Sequence, residues 1–171
     1  MKIVKYFWIF SMVAFMATLL YCYVSYDTPI FVFKESPEAL PYALEKSNFF
    51  YAGLGAILTS NILTLLLSNL LPRLRPPFLP LPAASFWAQN SYTRQRMTEY
   101  LEGWTKGIGI FLNLILILAV LHIITLNDAA FSVETQNWLF GIFALLLFWI
   151  GLFFYLFIGT KKEIAEMIEI K

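Results

Sequence analysis

Two asparagines, one histidine and one cysteine stand inside long apolar runs, where a side chain that can ionise, ligate or hydrogen-bond has most to do. His122 and Cys22 are each the sole residue of their type. An imidazole can shuttle protons or bind iron, but a haem held by two histidines needs a second one, and a lone His makes a poor metal site. A single thiol excludes an intrachain disulfide and any thiolate zinc site supplied by this chain alone. Asn61 and Asn113 can hydrogen-bond a polar ligand, or each other, and an unpaired amide in hydrocarbon is costly. Glu99 and Glu102 are one turn apart, yet they share a helix face with Ser91, Gln95 and Arg96 and read as solvated charges. No Gly-rich phosphate loop, nucleophile elbow or His-Glu-x-x-His pattern is present. The expectation is therefore no catalytic, cofactor-binding or metal-ligating set and no cofactor, with Asn61, Asn113 and His122 as buried or interfacial polar groups that hydrogen-bond within the packing.

The elements that position these residues are apolar. With 171 residues, 60% hydrophobic and 13% charged, the chain carries about half the charge of a soluble domain. It reads as a single all-α membrane domain over residues 1–171, a four-helix transmembrane bundle. The spans are expected at about 6–26, 49–71, 107–126 and 136–159, each near the ~20 residues that cross a hydrocarbon core. The first run follows Lys2 and Lys5, as a signal peptide would, but no small-residue cleavage pattern follows it, so it is taken as a span. None of the four contains Asp, Glu, Lys or Arg. Proton- or ion-coupled transport usually keeps such groups at membrane depth, so that class is disfavoured.

Small residues recur at every fourth position of the second span, Ala52, Ala56, Ser60, Thr64 and Ser68, with a shorter series, Ala14, Thr18 and Cys22, in the first. Small side chains let membrane helices approach closely, so these two spans are expected to pack together through them. Cys22 is then a packing residue. The fourth span, rich in Phe and Leu, is expected to face lipid or a partner, and about nine residues join it to the third as an antiparallel hairpin. Between the first two spans, Ile30 to Phe33 reads as a short β run and Ser36-Pro37-Glu38 as a helix start. The tail from Thr160 can extend the last helix into water.

Between the second and third spans, five prolines from Pro72 to Pro82 exclude a helix interior and predict an extended connector. From Ser85, Phe86, Met97, Tyr100, Leu101 and Trp104 share one helical face. An amphipathic interfacial helix is expected over about 85–104, running into the third span. Phe86, Trp87, Arg94, Arg96, Tyr100 and Trp104 are its candidate partner surface. Trp8, Trp87, Trp104, Trp138, Tyr26 and Tyr51 fall near the expected interfaces, as aromatic belts do.

Basic residues segregate. Lys2, Lys5, Arg73, Arg75, Arg94, Arg96, Lys106, Lys161, Lys162 and Lys171 fall on one side and Lys34 and Lys46 on the other. The bias places both termini in the cytoplasm. A net charge of +1 offers no basic field for nucleic acid.

The order of elements resembles a bacterial membrane-protein family that includes relatives of the immunity factor of the sporulation-delaying toxin. The likeness runs through Thr28-Pro29-Ile30-Phe31-Val32-Phe33, Ser47-Asn48-Phe49-Phe50, the connector from Leu81-Pro82 to Phe86-Trp87, Arg94 with Arg96, and His122 to Asn127. The chain departs from it in lacking the histidine and glycine usual in the outer loop, with Phe31 or Val32 where that histidine would stand. The resemblance implies a bacterial inner-membrane location and no established chemistry. The functional expectation is a non-catalytic inner-membrane protein that binds another membrane protein, as an accessory subunit or immunity-like regulator. Its partners are the lipid bilayer and a membrane protein or a second copy. The alternative is a small carrier or channel for an uncharged or lipid-like substrate, with an intramembrane enzyme third.

Overall fold

The computed structural model describes residues 2–27, 29–34, 40–79, 81–128 and 130–169, with side-chain surroundings given for all of these but Pro76 and 162–169. Among the described residues four helices are long and apolar enough to cross a membrane. This is a multi-pass, all-α membrane protein. The elements run α1 (Lys2–Ser25), β1 (Ile30–Phe33), β2 (Tyr42–Leu44), α2 (Lys46–Leu70), a single-turn α3 (Ala84–Trp87), α4 (Ser91–Asn127) and α5 (Thr135–Glu169). The Ser36-Pro37-Glu38 helix start lies outside the described residues.

α4 is the central helix. Its 37 residues extend about 55 Å, well beyond a ~30 Å hydrocarbon core, and α1, α2 and α5 all pack on it. Toward the C-terminal end of α4 a core of Phe15, Leu19, Cys22, Phe49, Ile57, Val120 and Ile124 is capped by Ile30 of β1. Toward its N-terminal end Leu79, Trp87, Met97, Leu101, Phe153 and Phe157 form a second core between the connector, α4 and α5.

Local chemistry sets the breaks. α2 gives way to a 3-10 turn, Leu71–Arg73, because Pro72 cannot donate the next helical bond. Pro76–Phe78 makes another such turn, and Ala83 takes a left-handed conformation, φ 55°, before α3. α4 then starts afresh. Asn90 Oδ1 accepts from Thr93 N at 2.8 Å while Thr93 Oγ1 accepts from Asn90 N at 3.4 Å, a reciprocal cap that satisfies two otherwise orphaned donors.

This cap corrects the expected unbroken helix over 85–104, which is divided at 88–90. Its larger part, the first turns of α4, runs into the third span as expected. The β1–β2 pair is antiparallel, with Ile30 opposite Leu44. It is fastened to α4 by Asn127, whose Oδ1 accepts from Phe31 N at 3.0 Å and whose Nδ2 donates to Phe31 O at 2.8 Å. One side-chain amide thus takes the place of a neighbouring strand.

A second correction concerns how α2 packs. Its buried residues are Phe49, Ile57, Asn61, Thr64 and Ser68, whereas Ala52 and Ala56 are exposed. Positions four apart on a 3.6-residue helix advance by about 40° per step, so a ridge at every fourth residue winds around the helix. It starts outward at Ala52 and turns inward only at Thr64 and Ser68. The α1–α2 contact is instead made where Leu19 lies over Gly53, whose added Cβ would sit 2.7 Å from Leu19 Cδ1. Cys22, nearer the C-terminal end of α1, is fully buried, while Ala14 and Thr18 are half-buried.

Candidate functional site

Where α1, α2 and α4 meet, four polar side chains close on one another. Asn61 Nδ2 donates to Asn113 Oδ1 at 2.9 Å, and Asn113 Nδ2 donates back to Asn61 Oδ1 at 3.3 Å. Trp8 Nε1 donates to Asn61 Oδ1 at 2.7 Å, and Asn113 Nδ2 also donates to Ser11 Oγ at 2.9 Å. The remaining hydrogens go to backbone, from Asn61 Nδ2 to Ile57 O at 2.8 Å and from Ser11 Oγ to Trp8 O at 2.7 Å. All four residues are buried, Asn113 completely.

Glycine makes the approach possible. A Cβ on Gly109, one turn before Asn113, would stand 2.8 Å from Thr64 Cγ2 and 3.0 Å from Trp8 Nε1. Ordinary contact begins several tenths of an ångström further out, so only glycine fits between the three helices here. Thr64 therefore faces Gly109 of α4 and the indole of Trp8. The network is neutral throughout and each amide is engaged on both its nitrogen and its oxygen. Such an arrangement fixes register and excludes water, and it has no group poised to give or take a proton.

Sequence reasoning singled out the two asparagines but missed Trp8 and Ser11. Trp8 was expected in an interfacial belt. It is instead an interior donor, and its one available signal is that Trp8, Ser11 and Phe15 share a helical face.

The candidate partner surface separates into packed and exposed residues. Trp87 is fully buried and stacks edge-on against Phe157, centroids 5.1 Å apart. Tyr100 meets Phe157 at 5.6 Å, and Trp104 lies over Phe153 at 4.3 Å. Phe86 packs on the same cluster. This apolar face is covered by the chain's own α5, so it is not free for a partner; Arg94 and Arg96 remain exposed. The α4–α5 approach depends on Gly107, where an added Cβ would collide with the indole of Trp149. That indole donates to Trp104 O at 3.2 Å.

His122 is exposed, which corrects its expected burial. Its Nδ1 lies 3.3 Å from Thr135 Oγ1, at the end of the pair where α4 finishes and α5 begins. Among the described residues no group of His, Cys, Asp or Glu could hold a metal ion.

Ala56 and Ser60, which sequence placed against α1, line a lateral groove of about 690 Å3 between α2 and α4. Gly55, Thr59, Leu63 and Leu67 continue its α2 wall and Trp104, Ile108, Leu112 and Leu116 its α4 wall. No family model matches the chain, and neither a curated protein nor a solved structure does.

Proposed function

We propose that this protein is a non-catalytic subunit of a bacterial inner-membrane assembly, acting by binding another membrane protein as an accessory subunit or immunity-like regulator. Both termini are then cytoplasmic, as the distribution of basic residues argues. The topological resemblance to the immunity-factor family is the ground for the regulator form of this reading.

One observation carries the proposal. α5 packs on α4 with one side and turns Gly141, Ala144, Phe148, Gly151 and Tyr155 outward, a stripe at alternating spacings of three and four. Nothing lies within 4 Å of a Cβ added at Gly141 or Gly151. Each glycine costs a helix about 1 kcal/mol relative to alanine, and these two gain no packing inside the chain. In membranes small residues concentrate where a second helix approaches. The exposed phenylalanines beside them, Phe140, Phe143 and Phe154, supply flanking contact area. A carrier would instead be favoured by a polar cavity around Asn61 and Asn113, and those amides are saturated by each other and by Trp8 and Ser11.

The test is photocrosslinking in native membranes from a diazirine residue at Gly151, with Val13 on the lipid-facing side of α1 as control. Adducts of protein mass at Gly151, lost when Gly141 is changed to Leu, support the proposal, and an adduct of twice the chain mass identifies a second copy. Lipid adducts alone, equal at both positions, would overturn it.

A further inference from the structure

The α2–α4 groove has walls whose chemistry points to its occupant. It runs from Gly55 of α2 to Leu71 just beyond that helix, about 24 Å at 1.5 Å per residue. It is open to the side, holds about 690 Å3, and is lined mainly by aliphatic side chains with a few hydroxyls. An extended peptide there would place unpaired backbone polar groups in hydrocarbon. An alkyl chain suits the apolar walls and carries no polar group into them.

The inner end supplies a headgroup site. Leu71, the groove residue just beyond α2, opens the turn that carries Arg73, and Arg75 follows two residues later, both exposed. Among the described residues the ion pairs are Arg96 with Glu99 and Lys106 with Glu102, so Arg73 and Arg75 have no carboxylate there. Trp104 borders the same end of the groove. From the Arg73 end the order is therefore guanidinium pair, then apolar groove, which is the order of phosphate and acyl chain in a glycerophospholipid.

We infer that the groove holds one acyl chain of an anionic glycerophospholipid from the leaflet on the Arg73 side, with its phosphate bound by Arg73 and Arg75. The lipid is a resident ligand that fills the α2–α4 seam. This site is separate from the outward stripe of α5 and does not depend on a protein partner being found there.

The experiment uses the full chain in nanodiscs of equal phosphatidylglycerol and phosphatidylcholine, released into the gas phase so that retained lipids are weighed. Wild-type protein should retain phosphatidylglycerol over phosphatidylcholine by roughly 30-fold, the preference expected of two basic side chains at an anionic headgroup. Arg73→Gln with Arg75→Gln should bring the ratio near one while leaving lipid bound. Thr59→Phe, which adds bulk at an exposed position of the groove wall, should lose both lipids. Equal retention by wild type, a preference that survives the double Gln variant, or lipid retained by a folded Thr59→Phe variant would each overturn the inference. Should Thr59→Phe fail to fold, the double Gln variant decides it alone.

Discussion

Trp8 Nε1 donates to Asn61 Oδ1 at 2.7 Å, a contact that ties the α2–α4 amide pair to α1 only six residues beyond the start of that helix. An indole near the end of a membrane helix would ordinarily sit among headgroups. Here it is turned inward, and the three helices share one polar knot at a single depth.

That knot sets the first prediction. Double-mutant cycles in membrane proteins give hydrogen bonds averaging about 0.6 kcal/mol with a maximum near 1.7, so Trp8→Phe should cost about that much. Asn61→Leu should cost more, roughly 1–3 kcal/mol, because it strands the Trp8 N–H and half of the Asn113 amide in a buried site. Asn61→Leu with Asn113→Leu should then cost less than the two singles added together. Reversible unfolding in mixed micelles measures all three, and additive losses would show that the amides do not act as a pair.

Close packing is confined to particular positions. Gly109→Leu must push Thr64 and Trp8 apart and should cost about 1–3 kcal/mol as an overpacked core does. Ala56→Leu adds bulk at an exposed groove position and should change stability by no more than about 0.5 kcal/mol, as surface changes do. Equal losses from the two would mean that the groove is closed in the folded protein.

The contrast between these positions also explains what the sequence could reveal. Four apolar runs announce four spans because lipid demands about twenty uncharged residues whatever their neighbours are. Which side of a span faces its neighbours is another matter, since α2 is apolar nearly all round and its small residues at every fourth position wind from lipid at Ala52 to interior at Ser68. The polar residues were better guides, and Asn61 with Asn113 marked the helix junction because a buried amide must find partners. Trp8 and Ser11 gave no such signal, as indole and hydroxyl are tolerated at an interface. The start of α4 was marked by Asn90 and Thr93, but the aromatic residues on both sides of that cap obscured it.

Orientation can be tested at the two ends of α4. Lys2, Lys5, Glu99, Glu102 and Lys106 gather around one polar depression, while Asp128 lies at the opposite end of α4. If both termini are cytoplasmic, a cysteine at Asp128 should react with an impermeant maleimide added to intact cells, and one at Gln95 only after the membrane is opened. Labelling at Gln95 in sealed cells would reverse the proposed orientation. Glu38, another site on the expected outer loop, lies outside the described residues.

Asn127 makes a bidentate contact with the backbone of Phe31. Because its amide both accepts from Phe31 N and donates to Phe31 O, Asn127→Asp should keep the first bond and turn the second into a repulsion between oxygens. Asn127→Ala loses both. Each change is at an exposed contact, so global stability should fall by no more than about 1 kcal/mol, within the usual net worth of such bonds. The local effect should be larger: hydrogen exchange at Phe31 N–H should quicken strongly in the Ala variant and less in the Asp variant, with Ile30 leaving the core it shares with Leu19 and Ile124 in both. Unchanged exchange at Phe31 in the Ala variant would mean that Ile30 and the β1–β2 pairing hold the hairpin without the clamp.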